Sequence, residues 1–241
     1  MNEKKFKILL FNIGYCSGIN GTLHQYLLKS HKYTYINKKS ANTIIDKFKS
    51  IIKEEKPDLI CLIEINKGIN FKHLINEDYP FYDIETKYGE KSLLRKTPFF
   101  RKKSNAFISK TNLDFKIHYL KAGTKKLLYE IFLPGDISFV FGHFSLNKST
   151  RKKQFDELSN MNFKNKKIII GGDFNIFKGV EEIKHLCNKM DLDIAYNKAT
   201  FPSFRPKYML DLFLTSKNID FDYKIVNTNI SDHLPVILEI G

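Results

Sequence analysis

In the stretch IIIGGDFNIFKG (168–179), a carboxylate and a carboxamide stand two residues apart, just after a β-branched run and two glycines. Extended chain would point Asp173 and Asn175 to one face and Phe174 to the other. Two such side chains at the end of a rigid element suit a hard cation, a phosphate or a water that must be oriented. They also suit a capped turn, because Asp and Asn are ordinary turn residues. Other polar residues end or interrupt apolar runs in the same way. Asn12 closes the first run, Glu64 lies inside CLIEI, His143 interrupts FVFGHFSL, Asp211 breaks MLDLFL, and Ser231, Asp232 and His233 precede the last run. Burying any of them costs free energy unless it is paired or used.

Taken singly, each has a structural reading: a carboxylate paired with a lysine, a hydrogen-bonded core histidine, a loop cap. Together their types are complementary. Glu64, Asp232, Asn12 and Asn175 offer the oxygen donors that Mg²⁺ or Mn²⁺ takes. His143 and His233 can donate to a phosphate or move protons near neutral pH. No thiolate cluster suggests zinc.

Eight apolar runs must carry these residues: 7–13, 58–65, 105–109, 127–133, 137–146, 166–174, 209–216 and 234–240. Several are apolar on both faces, which predicts strands covered on both sides. Helical periodicity places Ile44, Ile45, Phe48, Ile51 and Ile52 on one face of 41–55, with Pro57 as a stop. A second helix over 149–161 can start at a Ser/Thr cap and bury Phe155 and Leu158, and a third over 179–190 buries Val180, Ile183 and Leu186. Hairpin-like strand pairs outnumber strand–helix alternation, so an α/β sandwich of two mainly antiparallel sheets with outer helices is expected. Without a repeat or linker, 1–241 reads as a single domain.

The 241 residues and 42% hydrophobic content describe a globular chain with a sizeable core. No apolar run reaches membrane-spanning length, and MNEKKFKILLFNIGY reads as a first strand rather than a leader. Cys16, Cys61 and Cys187 lack metal-type spacing and read as reduced thiols, so a cytoplasmic protein is expected. The net charge of +14 favours polyanion partners, nucleic acid or an anionic membrane. Nearly all of it is Lys in a chain rich in Asn and Ile, a bias that an AT-rich genome also produces.

The order FNIG, DLICLIEI, GHFSL, GGDFN, LDLFL, SDHLPV resembles the endonuclease/exonuclease/phosphatase superfamily from about Phe6 to Ile240. That superfamily includes deoxyribonuclease I, exonuclease III-type nucleases, neutral sphingomyelinases and inositol phosphatases. The resemblance implies a four-layer α/β sandwich and metal-dependent hydrolysis of phosphoric esters. It implies that Glu64 holds Mg²⁺ or Mn²⁺ with Asn12 beside it and Asp232 as a further metal-side carboxylate. Asp173 would orient or deprotonate the attacking water, Asn175 would hold the phosphate or that water, Asp211 would fix the tautomer of His233, and His143 would stabilise phosphoryl charge.

Several features depart from the exonuclease III branch. GHFS stands where that branch has Tyr-Val-Pro-Asn, Ile63 precedes the metal Glu in place of Gln, and the chain has no Trp. His143, with Arg151 and Gln154 in RKKQFDEL, is closer to the deoxyribonuclease and sphingomyelinase side. The leading expectation is a nuclease acting on nucleic acid. The alternative is a phosphodiesterase or phosphatase acting on a lipid headgroup or small phosphoester, and a binding protein without catalysis is the third. The segment KYGEKSLLRKTPFFRKK (87–103) is a candidate substrate wall: Arg95, Arg101, Lys102 and Lys103 would track phosphates and Phe99 or Phe100 would stack on a base. The same pattern would suit an interfacial membrane contact, or a solvated loop. Asn105, which opens the next strand, is a further substrate-side candidate.

Overall fold

The computed structural model describes residues 5–19, 38–98, 100–196 and 198–241. Each of the eight apolar runs forms a strand: β1 (Phe6–Asn12), β2 (Leu59–Asn66), β4 (Lys103–Ser109), β6 (Leu127–Leu133), β7 (Ile137–His143), β8 (Lys167–Asp173), β10 (Asp211–Ser216) and β12 (Val236–Ile240). Four further strands were not expected: β3 (Phe81–Thr86), β5 (Phe115–Tyr119), β9 (Leu192–Ile194) and β11 (Phe221–Ile225). The sheet orders are β11-β12-β1-β2-β4-β3 and β5-β6-β7-β8-β10-β9. The four unexpected strands are therefore the four sheet edges. Edge strands stay half-solvated and lose the apolar signature that marks a central strand.

Only β1–β2 and β7–β8 pair in parallel; the other neighbours are antiparallel. The sheets face each other across Ile8, Leu10, Cys61 and Phe107 on one side and Tyr129, Phe139, Phe141 and Phe213 on the other. Rings carry the contact: Phe107 meets Tyr129 of the other sheet edge-on at 5.5 Å, and Tyr129 is backed within its own sheet by Phe141, stacked at 5.0 Å.

Helices cover the outer faces. Helix α1 (Lys38–Glu55) lays Ile44, Ile45, Phe48 and Ile52 on Leu9, Phe11, Ile60 and Leu62. A single turn, α2 (Ile69–Lys72), follows β2. Helix α3 (Lys148–Leu158) docks Phe155 against Phe144 and Phe174, with ring centroids 5.1 and 5.8 Å away. Helix α4 (Lys184–Met190) buries Leu186. The arrangement is the expected four-layer α/β sandwich. Two helix expectations are corrected. The α3 cap is Asn147, whose Oδ1 accepts from Thr150 N at 3.0 Å, not a Ser or Thr. The 179–190 helix is split into a 3₁₀ turn, Val180–Glu182, and α4, which leaves Val180 exposed while Ile183 is buried.

The glycine pair before Asp173 has a packing cause. A Cβ on Gly172 would stand 2.3 Å from the Gly142 carbonyl oxygen, so β7 and β8 approach closely only without one. Gly172→Ala should therefore lower unfolding free energy by about 1–3 kcal/mol, the usual cost of overpacking, as read by chemical denaturation. Unchanged stability would show that the two strands can part freely.

Candidate active site

Strand register brings the polar ends together. His143 pairs with Asp173 across β7–β8, and Asp211 pairs with Asp173 across β10–β8, so three ionisable groups sit side by side on one sheet. The opposite sheet contributes Asn12, whose Nδ2 donates to Asp173 Oδ2 at 3.0 Å and whose Oδ1 accepts from Gly14 N at 3.1 Å.

Glu64 reaches the same place through a bulge. Pairing of β2 with β4 runs Leu62↔Ala106 and then Ile65↔Ser104, so one extra residue enters β2 between them. Glu64 takes φ +57°, in the left-handed region. Asn105, fully buried, steadies this turn by accepting from Glu64 N at 3.3 Å. Without the bulge, alternation would send Glu64 to the outer face; with it, the carboxylate enters the cleft.

Asp173 and Asn175 both line the cleft, but not through extended alternation. Asn175 has φ +54°, its N–H donates to Asp173 Oδ1 at 3.1 Å, and its Nδ2 donates to the Phe144 carbonyl at 3.1 Å. The capped turn and the functional pair are thus one feature.

The cleft has a volume of about 360 Å³ and is lined by Asn12, Glu64, His143, Asp173, Asn175, Asp232 and His233 among others. Asp211 lies behind His233 and takes its Nδ1 on Oδ2 at 2.7 Å, with Thr200 Oγ1 donating to the same oxygen at 2.8 Å. His233 Nε2 points toward Asn12 Nδ2 at 3.5 Å and Asp173 Oδ2 at 4.0 Å. Asp173, Asp211 and His233 form a buried cluster whose ligand-type atoms lie within 4.8 Å of one another. The shortest of those contacts is the His233–Asp211 hydrogen bond, which occupies Nδ1; a hydrogen-bonded relay describes the cluster better than a metal cage.

Burial alone would push Asp173 up, but His143 and His233 outweigh it and hold the carboxyl well below its usual range. Burial also opposes charge on Glu64, yet Lys87, His143 and Lys125 bring it down to about 2. Burial and Lys125 lower His143 to about 4, so its imidazole is neutral at pH 7. Burial would lower His233 too, but Asp211 and Asp173 raise it to about 10. Burial raises Asp211.

Six lining residues escaped the sequence reading, Tyr15, Lys125, Leu146, Phe177, Phe201 and Leu210, and Lys87 entered it only as the first residue of the basic segment 87–103. Lys87 Nζ sits 3.1 Å from Glu64 Oε1, and Lys125 Nζ reaches His143 Nε2. Of the proposed substrate wall, Lys103 lines the cleft and Phe100 packs behind it, edge-on to Tyr88 at 5.8 Å. Arg95 is held elsewhere, by Glu85 at 2.7 Å and the Tyr119 hydroxyl at 3.3 Å. Arg101 and Lys102 are exposed and do not line the cleft, and Phe99 lies outside the described residues. Arg151 and Gln154 are buried scaffold: Arg151 holds the Ser145 and Leu146 carbonyls and pairs with Glu182, and Gln154 Oε1 accepts from Ser145 N at 2.8 Å.

The sequence matches no family model and no curated protein. Its fold does match solved structures. An endonuclease/exonuclease/phosphatase from Beutenbergia cavernae superposes with a TM-score of 0.70 at 13% identity, over 99% of this chain and 72% of the other. Beta toxin from Staphylococcus aureus gives 0.66 at 15% identity, over 97% and 99%. TDP2 from Caenorhabditis elegans gives 0.64 at 16% identity, over 98% and 74%. The chain therefore has the deoxyribonuclease I-like fold of the endonuclease/exonuclease/phosphatase proteins, the fold that the sequence resemblance implied.

The Asp211–His233 pair sets a pH expectation. His233 is raised from 6.5 to about 10, so the stability from its charged pairing is complete below about pH 6.5 and is lost as pH rises through 10. In metal-free protein, NMR should find the imidazole still protonated at pH 8. Asp211→Asn should move its titration down toward 6.5. Titration of wild-type His233 near 6.5 would contradict this geometry.

Proposed function

We propose that the cleft hydrolyses phosphoric esters with a divalent metal, and that its substrate is a phosphodiester of nucleic acid. The observation that carries this reading is convergence: Asn12, Glu64, His143, Asp173, Asn175, Asp232 and His233 come from the ends of strands in both sheets into one cleft. The donor set fits Mg²⁺ or Mn²⁺. Glu64 and Asp232 are carboxylates, Asn12 is an amide, and among the described residues no cysteine joins them. Two buried nitrogens near Glu64, Asn105 Nδ2 and His143 Nδ1, lack partners, as expected where an oxygen-rich ligand completes the site. A bound divalent ion would supply Lewis-acid neutralisation of phosphoryl charge.

The chain's own groups divide the remaining work. Asp173 is ionised, and its Oδ2 faces the cleft among Asn12, His143 and His233. It is suited to accept a hydrogen bond from the attacking water and aim it. His233, held cationic by Asp211, is a poor base at neutral pH; it is suited to donate from Nε2 to a phosphoryl oxygen as charge builds. His143, neutral, and Asn175 complete the polar wall that positions the phosphate. Nucleic acid is favoured by the +14 net charge, which draws polyanions to the whole surface. No helix among the described residues is long and apolar enough to cross a membrane.

One panel tests the reading: single- and double-stranded DNA, abasic DNA, RNA, sphingomyelin and a generic phosphodiester, each with Mg²⁺ or Mn²⁺. Hydrolysis should stop in EDTA and return with metal, and Glu64→Ala should weaken metal binding and turnover together. Asp173→Asn and His233→Ala should each cost about 10²- to 10⁴-fold in rate with the fold intact, the usual contribution of a positioned acid–base group. Full activity in EDTA, or wild-type rates in both variants, would place the chemistry elsewhere. Turnover of sphingomyelin alone would replace the nucleic-acid substrate with a lipid headgroup.

A further inference from the structure

Helix α3 buries Phe155 and Leu158, as a covering helix must, and it also sends Gln154 inward with none of its surface exposed. A buried amide costs free energy unless its donors and its acceptor are met. Here backbone groups meet all of them. Gln154 Oε1 accepts from Ser145 N at 2.8 Å, and Nε2 donates to the Ala122 and Lys125 carbonyls at 3.1 and 2.7 Å. Two carbonyls at one end and an N–H at the other leave the amide a single orientation.

These bonds join two segments that deliver cleft residues. Ser145 lies two residues beyond His143, just past the end of β7. Ala122 and Lys125 belong to the turn between β5 and β6, closed at its base by Leu120 N on the Lys126 carbonyl at 2.8 Å. The turn is fitted to the helix. Thr150, Gln154 and Glu157 share one face of α3, and Glu157 accepts from Lys121 N and Ala122 N at 2.5 and 2.9 Å. Gly123 has φ +80°, and a Cβ there would stand 2.8 Å from Thr150 Cγ2 and 3.0 Å from Gln154 Nε2. The other sheet holds the turn as well: the Lys87 carbonyl accepts from Lys126 N at 2.8 Å and Leu127 N at 3.4 Å.

The side chains of the two segments meet in the cleft. The Lys125 ammonium contacts His143 Nε2, and Asp173 Oδ2 stands 3.2 Å from the same nitrogen. A lysine on a turn at a sheet edge has a long flexible stem and would ordinarily carry its charge to water. Here its Cα is fixed relative to the strand that carries His143, so the ammonium stays in the cleft. A charge held in place can meet developing phosphoryl charge without reorganising; a wandering one cannot.

We propose that Gln154 is a positioning residue for the reaction: it locks the Lys125 turn to the end of β7 and so holds the Lys125 ammonium against His143, beside Asp173. This rests on the phosphoester reading of the cleft. Gln154 does not line the cleft and acts through Lys125, which does. Misplacing a reacting group by about 1 Å can cost about 10²-fold in rate, so an amide behind the cleft can matter as much as a group inside it.

Two variants break the Lys125 arm in different ways. Gln154→Glu keeps an acceptor for Ser145 N and loses both donors; Gln154→Met loses all three bonds without adding charge. Circular dichroism shows whether each is folded. If neither folds, Gly123→Ala presses on the same contact from the exposed turn and takes their place. The first readout needs no turnover. In EDTA at neutral pH, the nitrogen chemical shifts of the His143 imidazole, assigned by their loss in His143→Gln, should move in Lys125→Met. Each Gln154 variant should move them in the same direction, and should move them little further once Lys125 is Met. The second readout is hydrolysis of bis-p-nitrophenyl phosphate with Mg²⁺. In either Gln154 variant kcat should fall about 10- to 10²-fold with KM little changed, and in the Lys125→Met background the same substitutions should cost almost nothing more. A glutamine that only supports the fold gives the opposite result, equal losses with and without Lys125. Unmoved His143 shifts in a folded variant, an unchanged kcat, or losses that add to that of Lys125→Met overturn the proposal. If the diester and every member of the substrate panel stay intact, the phosphoester reading fails, and the dependence of the His143 shifts on Gln154 through Lys125 decides the positioning by itself.

Discussion

One carboxylate must stay ionised with 1% of its residue surface exposed, and the rest of the cleft is arranged around it. A buried charge is costly unless several polar partners meet it. Asp173 is met by Asn12 from the opposite sheet, by His143 on the neighbouring parallel strand and by the backbone of Asn175. Each partner depends on register. A shift of one residue in β7 or β10 would turn His143 or Asp211 to the helix-covered face and leave Asp173 without support. The glycines at 142 and 172, which let these strands approach, belong to the same requirement.

Three of the seven described non-glycine residues with left-handed φ lie where strands deliver residues to the cleft. Tyr15, Glu64 and Asn175 all have left-handed φ, and all three line the cleft. Such conformations cost about 1–3 kcal/mol each and persist where surrounding bonds determine them. Glu64 is held by Asn105, and Asn175 by Asp173 and Phe144. The turn after β1 is held by Ile13 N on the Ile63 carbonyl at 3.0 Å and Cys16 N on the Ile13 carbonyl at 3.0 Å. The strands supply rigid ends; the strained residues redirect side chains that regular pleating would send elsewhere.

The central strands and the residues at their ends were legible because burial leaves a strong mark. A run such as IIIGG or CLIEI must be covered, and a polar residue inside it needs a partner. The edge strands were not legible because solvent satisfies one side of them: β5 reads FKIHY and β11 FDYKI, with charge at positions that face water. The bulge at Glu64 left no local signal, since no glycine marks its left-handed residue. Lys125 was missed, and Lys87 was not singled out within its basic segment, for another reason. In a chain with 40 lysines and arginines, a lysine's identity says nothing about where it points. Arg95 shows the converse: it lies in the most basic stretch, yet Glu85 and Tyr119 turn it away from the cleft.

Basic composition therefore acts at two ranges. The surface excess attracts any polyanion, but exposed charges are screened beyond about 8 Å at physiological salt, so it steers without choosing. Lys87 and Lys125 act at contact distance, where partial burial limits screening and fastened backbones limit relaxation. The same cleft holds carboxylates, and Lys87 and Lys125 help to keep Glu64 ionised there. The neutral His143 stands where the two sets meet, between Lys125 on one side and Asp173 and Glu64 on the other. Its neutrality keeps a further positive charge from crowding Lys87 and Lys125.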